Sequence, residues 1–154
     1  MSENTKLRSE VHIPFILAGK ALIKFTSLMN GFSATYLIVK HKKEKLWFVF
    51  VEWHEPDKET RSGHKTRFSY IGTIFSNMSF QHTSRSKVSP SSDAFKGFKA
   101  PWKYLLNKCM PNGIQVEHLG RCGRCGRRLK DPKSLDRGFG PHCWKKIQRL
   151  YCRR

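Results

Sequence analysis

The chain has 154 residues, 38% of them hydrophobic and eleven of them phenylalanine, which is enough for a packed core and excludes a disordered chain. Thirty basic residues against eleven acidic ones leave a formal charge of +19, more than solubility requires, so a polyanionic partner is expected. The longest apolar run, Leu46 to Val51, is far too short to span a bilayer, so no membrane partner is expected.

Met1 to Glu10 is polar and carries acids, unlike a signal or transit segment, and the expected compartment is a reducing cytoplasm. His12 to Leu17 opens the fold, and Pro14 suggests an edge strand there. Lys20 to Leu28 alternates Ala21, Ile23 and Phe25 with Lys20, Lys24 and Thr26, the pattern of a half-buried strand. Asn30-Gly31 is a hairpin signal, and Thr35 to Lys40 is the return strand. Leu46 to Trp53 is the strongest strand, His54 to Thr66 a charged loop, and Arg67 to Phe75 a fourth strand with Gly72 placed for a bulge. Ser76 to Ser92 is serine-rich, with Arg85 and Lys87 its only charges, and reads as a long exposed loop. Asp93 is placed to cap a helix through Phe95 and Phe98, continuing from Trp102 to Cys109 after Pro101. Trp102, Leu105 and Leu106 would face the sheet. Pro111-Asn112-Gly113 turns the chain, and Ile114 to His118 is a short strand.

Cys122 and Cys125 then form a Cys-x-x-Cys pair with a glycine after each, and Cys143 follows eighteen residues on. A Cys-x-x-Cys turn presents two thiolates to one ion. Asp131 caps a short helix starting at Pro132, Gly138 ends it, and Pro141 opens a last helix with Cys143 in its first turn. An odd number of cysteines argues against a disulfide framework, and no thioredoxin-like pattern accompanies the pair. The expected cofactor is structural Zn on Cys122, Cys125 and Cys143. The fourth ligand is open among three residues. His118 has a comfortable spacing and is preferred, Cys109 would need the 111–113 turn to fold back, and His142 points about 100° away from Cys143 on the helix. Cys152 is excluded as a ligand because it lies about 13 Å further along that helix.

The run Cys122-Gly-Arg-Cys125-Gly-Arg-x-Leu129-x-x-Pro132-x-Ser134-Leu-x-x-Gly138-x-Gly140-Pro141-x-Cys143 resembles the hallmark of a family of small bacterial and phage proteins, a zinc-knuckle family of unknown function. The resemblance is specific over about Val116 to Trp144, and a looser likeness covers Phe15 to Ala21 and Tyr70 to Ile74. It implies a histidine ligand at the place of His118 and a phage or mobile-element type of protein. It brings no established activity.

The predicted fold is α+β: a small antiparallel β-meander with one or two helices and a C-terminal zinc-knuckle module ending in a helix. Residues 1–117 form the β-rich part and residues 118–154 the module. The module holds twelve basic and two acidic residues, more than half of the net charge. Arg121, Arg124, Arg127, Arg128 and Lys130 around the knuckle, with Lys145, Lys146, Arg149 and Arg153 on the last helix, are the expected nucleic-acid contacts. The apolar side of that helix would be Trp144, Ile147, Leu150 and Tyr151. Phe139 and Trp47 are available to stack on bases. The first reading is therefore a non-catalytic nucleic-acid-binding protein. The alternative is a small phage-type protein that binds and inhibits a host nucleic-acid enzyme or defence complex. A metal-dependent nuclease comes third, since the seven histidines are met by few acids and Glu52 and Glu55 beside His54 read as ordinary strand-end and loop residues.

Overall fold

A computed structural model describes residues 6–56 and 64–151, with the side chains of residues 54–56, 64–66 and 151 outside that description. The fold is α+β. Six strands run β1 Lys20–Ser27, β2 Ser33–Lys40, β3 Trp47–Pro56, β4 His64–Ile74, β5 Phe80–Gln81 and β6 Ile114–His118. They form one antiparallel sheet in the order β5-β4-β3-β2-β1-β6. Among the described residues there are also four α-helices, α1 His12–Ile16, α2 Asp93–Leu106, α3 Pro132–Arg137 and α4 Pro141–Tyr151, and a 3-10 turn at Ser9–Val11.

The expected meander is the centre of this sheet. Alternation decides which face is buried: Ala21, Ile23 and Phe25 of β1, Tyr36 and Ile38 of β2, and Trp47, Val49 and Val51 of β3 all point to one side. Helix α2 covers that side with Phe95, Phe98, Trp102 and Leu105. Its rings lock onto the sheet, with Tyr36 and Phe98 centroids 5.2 Å apart edge to face and the Tyr36 hydroxyl donating to the Ala94 carbonyl at 2.7 Å. That burial pushes the Tyr36 phenol well above its ordinary range. The β3–β4 register shifts between Val49 and Phe50, opposite Gly72 and Tyr70, which is the irregularity expected at Gly72.

Several local expectations are revised. His12 to Ile16 is a short helix, not an edge strand. Pro14 is accommodated because the first turn of a helix has no intrahelical partner for its N–H groups. The cap of α2 is Ser92, whose hydroxyl accepts from Phe95 N–H at 3.3 Å, and Pro101 lies inside one continuous helix. Leu106 is exposed and does not join the core. The serine-rich segment is tied down: Phe80–Gln81 adds the edge strand β5, Lys87 N–H donates to Tyr70 O at 2.8 Å, and His82 Nε2 meets Val88 O at 2.8 Å. Of the expected 54–66 loop, residues 54–56 extend β3 and 64–66 begin β4, and the residues between lie outside the description.

Strand β6 pairs with β1 from Ile23↔His118 to Ser27↔Ile114, so the 117/118 boundary drawn from the sequence falls inside a strand of the sheet. Phe15 of α1 is fully buried where the two parts meet. Its ring lies 5.6 Å from Phe139 and 6.0 Å from His118. A single buried cluster runs from α2 across the sheet to Leu129, Cys143 and Ile147.

Candidate metal centre and its basic cleft

The cysteine loop is built by short-range backbone bonds. Cys122 N–H donates to Arg127 O at 2.8 Å and Gly126 N–H returns to Cys122 O at 2.9 Å, closing a tight turn flanked by an Arg121↔Arg128 bridge. Gly123 N–H donates to Gly138 O at 3.0 Å, which ties this turn to the end of α3. Helix α3 itself is capped as the sequence predicts: Asp131 accepts from Ser134 N–H at 3.1 Å, Pro132 opens the helix, and Gly138 ends it at φ +84°. Glycine is also needed where the loop crosses Phe15. A Cβ on Gly123 would sit 2.6 Å from the Phe15 ring, and one on Gly138 would sit 2.9 Å from it.

This scaffold brings Cys122, Cys125 and Cys143 together, their sulfur atoms all within 4.8 Å of one another. Tetrahedral coordination at about 2.3 Å per bond places thiolates about 3.8 Å apart, so the three sulfurs fit one metal ion. Cys122 and Cys143 are buried and Cys125 is half-buried. Burial pushes the Cys122 thiol up, but backbone N–H groups of Cys125, Gly140 and Arg124 aimed at its sulfur outweigh that and bring it below its ordinary value. Cys143 moves the other way. Burial raises it, the Arg124 guanidinium donating to its Sγ at 3.6 Å offsets part of that, and the neighbouring Cys122 sulfur adds to the rise. Three thiolates this close repel one another, and a cation between them removes that conflict.

His118, the preferred fourth ligand, stands outside the sulfur cluster in this structure. Its Nε2 donates to Leu135 O at 2.6 Å and its Nδ1 accepts from Gly120 N–H at 2.9 Å, so both ring nitrogens are spent on backbone. The ring is only 1% exposed and ties β6 to α3. Of the other two candidates, Cys109 is exposed behind α2, and neither it nor His142 joins the sulfur cluster. His142 does line a cleft of about 450 Å³ that opens beside the sulfurs.

The rest of that cleft is basic. Arg124, Arg127, Arg128, Lys130 and Lys146 line it with His142, and its one carboxylate, Asp131, is engaged in capping α3. Arg127, Arg128, Lys130 and Lys146 are exposed, whereas Arg124 is half-buried and turned to Cys143, which makes it a partner of the sulfurs first. Arg121 is exposed, with its guanidinium on Gly126 O at 3.3 Å. Lys145 and Arg149 are exposed on α4 outside the cleft lining, and Arg153 lies outside the described residues. The expected apolar side of α4 is narrower than expected: Ile147 is buried and Trp144 packs on Phe139 at 5.9 Å, but Leu150 is 71% exposed. Trp47 and Phe139 are 3% and 0% exposed, so neither can stack on a base.

Residues 115–148 match a family of unknown function, DUF6011. The match covers most of β6, the cysteine loop, α3 and most of α4, and so includes all three clustered cysteines. No curated protein and no solved structure matches the chain. Among the described residues no helix is long and apolar enough to cross a membrane.

Proposed function

We propose that the protein is a zinc-stabilised, non-catalytic nucleic-acid-binding protein whose knuckle holds backbone phosphates. The observation that carries this is the cleft beside the sulfurs, where Arg127, Arg128, Lys130 and Lys146 converge with no uncommitted carboxylate among the lining residues. Guanidinium groups fixed on a short cross-linked loop meet phosphate oxygens in paired hydrogen bonds at little entropic cost. On α4, Lys145, Lys146 and Arg149 fall within about 100° of arc with His142, extending the same surface along the helix. Zinc is the fitting ion because a thiolate-rich, closely spaced donor set selects it over harder cations. When bound, it cross-links the loop to α4 and cancels most of the thiolate charge beside the phosphate site.

Fluorescence anisotropy of the zinc-loaded chain with labelled DNA and RNA across a salt series tests this. Micromolar or tighter binding at about 0.15 M salt is expected, with a log-log slope that Arg127→Ala plus Arg128→Ala reduces by roughly 1.8 on duplex DNA, about 0.9 per lost phosphate contact. Binding that vanishes at that salt for every nucleic acid would refute the reading and favour an acidic protein partner, such as a host nucleic-acid enzyme.

A further inference from the structure

Among the described residues, the helices that cover the sheet leave its other face open. On β3, Phe48 and Phe50 alternate with buried Trp47, Val49 and Val51, and the same parity puts Leu37 and Val39 of β2 and Leu22 of β1 on that second face. All are half-buried, and none belongs to the buried cluster or packs against it. Tyr70 of β4 lies opposite Phe50 on this face. The rings form a continuous row, with centroids 5.9 Å apart from His41 to Phe48, 6.2 Å from Phe48 to Tyr70 and 5.9 Å from Tyr70 to Phe50. Tyr70 is held by hydroxyl bonds to Thr73 and Thr83, so the row is preorganised.

Cations flank it. Lys20 continues the Phe48–Val39 row onto β1, and its side chain lies against Gly126 of the cysteine loop. The β2–β3 turn carries exposed Lys42 and Lys43 at the Phe48 end, followed by exposed Glu44, while Lys45 lies with Trp47 on the covered side. Exposed Arg85 and Lys87 follow Thr83 beyond β5, and Lys87 is bonded to the Tyr70 backbone. Two acids share the face by register: Glu52 one row out from Phe50, opposite Phe68, and Glu117 on the β6 edge, opposite Lys24. An apolar face awaiting another protein surface does not need cations around its aromatic row, whereas a strand of bases linked by phosphates does.

We propose that this open face binds single-stranded DNA or RNA, with bases stacked on Phe48, Phe50 and Tyr70 and the phosphate chain leading over Lys20 to the cysteine loop. The proposal rests on the nucleic-acid reading of the basic cleft and adds to it the class of ligand. From β4 to β1 the face is about 14 Å wide at ~4.8 Å per strand, and open sheets of similar width stack two or three bases. A duplex, with its bases already stacked inside, has no use for the row.

The test is anisotropy of the zinc-loaded full chain with labelled oligo-dT and oligo-rU of about twelve nucleotides and with a duplex of equal length, at about 0.15 M salt. Phe48→Leu plus Phe50→Leu removes the ring faces while keeping the surface apolar, and Tyr70→Leu is made separately in case the double variant melts early. Each leucine variant should bind single strands at least ten-fold more weakly, with duplex binding unchanged. Folded leucine variants that bind single strands like the parent, while Arg127→Ala plus Arg128→Ala does not, would overturn the stacking face and leave the basic cleft standing. A parent chain that binds no nucleic acid would overturn both. A leucine variant that loses self-association in sedimentation and keeps its single-strand affinity would mark the face as a contact between copies, and would also overturn the proposal.

Discussion

His118 separates two ideas of how the cysteine loop is held. The spacing to Cys122 suits a metal ligand, but its ring lies between the Leu135 carbonyl and the Gly120 N–H. His118→Ala would strand both of those partly buried groups and leave a void beside Phe15, whose ring centroid is 6.0 Å away. Each unsatisfied group costs about 1–3 kcal/mol, so a loss of roughly 2–6 kcal/mol is expected before any cavity contribution. That is a large part of the stability of a domain this size. The metal content should nonetheless match the parent's under conditions where the variant is folded, because Cys122, Cys125 and Cys143 are untouched. Urea unfolding followed by circular dichroism gives the first quantity, and metal analysis after dialysis gives the second. His118→Gln, which can reach both partners with its amide, should recover part of the stability. Loss of the ion from a folded His118→Gln protein would refute the strut and restore the histidine as a ligand.

Cys125→Ser should release the ion and raise amide exchange over residues 119–146 while β1 to β4 stay protected; retention of a full metal equivalent would contradict the three-sulfur site. Gly123→Ala should destabilise the protein by about 1–3 kcal/mol, since its Cβ would lie 2.6 Å from the Phe15 ring, and Phe15→Leu in the same chain should relieve part of that, as read by thermal melts. His12 is buried with its Nε2 on Leu7 O at 2.9 Å, and burial holds its imidazole below the ordinary value of about 6.5 despite that bond and nearby Glu10. The unfolded chain therefore takes up the proton first, so this contribution is complete above about pH 6.5 and is lost as the pH falls below it. His12→Gln should flatten that part of a stability profile measured from pH 7.5 down to about 5.

Local chemistry was the most legible part of the sequence. Asp131, Pro132 and Gly138 each signal a helix boundary by what their own atoms can do, and the structure uses all three in that way. The spacing of Cys122, Cys125 and Cys143 likewise carries its geometry within one loop and one helix turn. Long-range partners left no such mark. Nothing in Ile114 to His118 names β1 as its neighbour, and nothing near His118 announces Leu135, seventeen residues on, as the acceptor for its ring. The aromatic residues failed for a related reason. Strand β3 is apolar at both parities, so alternation separates Trp47 from Phe48 without saying which one the helices will cover. That doubly apolar pattern was itself the available sign that the second face has work to do. His12 to Ile16 was misread because Pro14 disfavours a central strand and the interior of a helix alike, and a helix of five residues has no interior.

The strand order has a consequence for how the chain comes into being on the ribosome. Strands β1 to β4 can pair as they emerge, but one side of β1 waits for Ile114–His118, and at about 5–20 residues per second the wait from Ser27 is roughly 5–20 s. During that interval the nascent hairpins carry an open edge and the fully apolar ring of Phe15 without its later cover. The edge closes when Ile114–His118 arrives and the Phe15 ring is covered when Phe139 follows, so until then the newborn chain is vulnerable to neighbours that would pair with its edge.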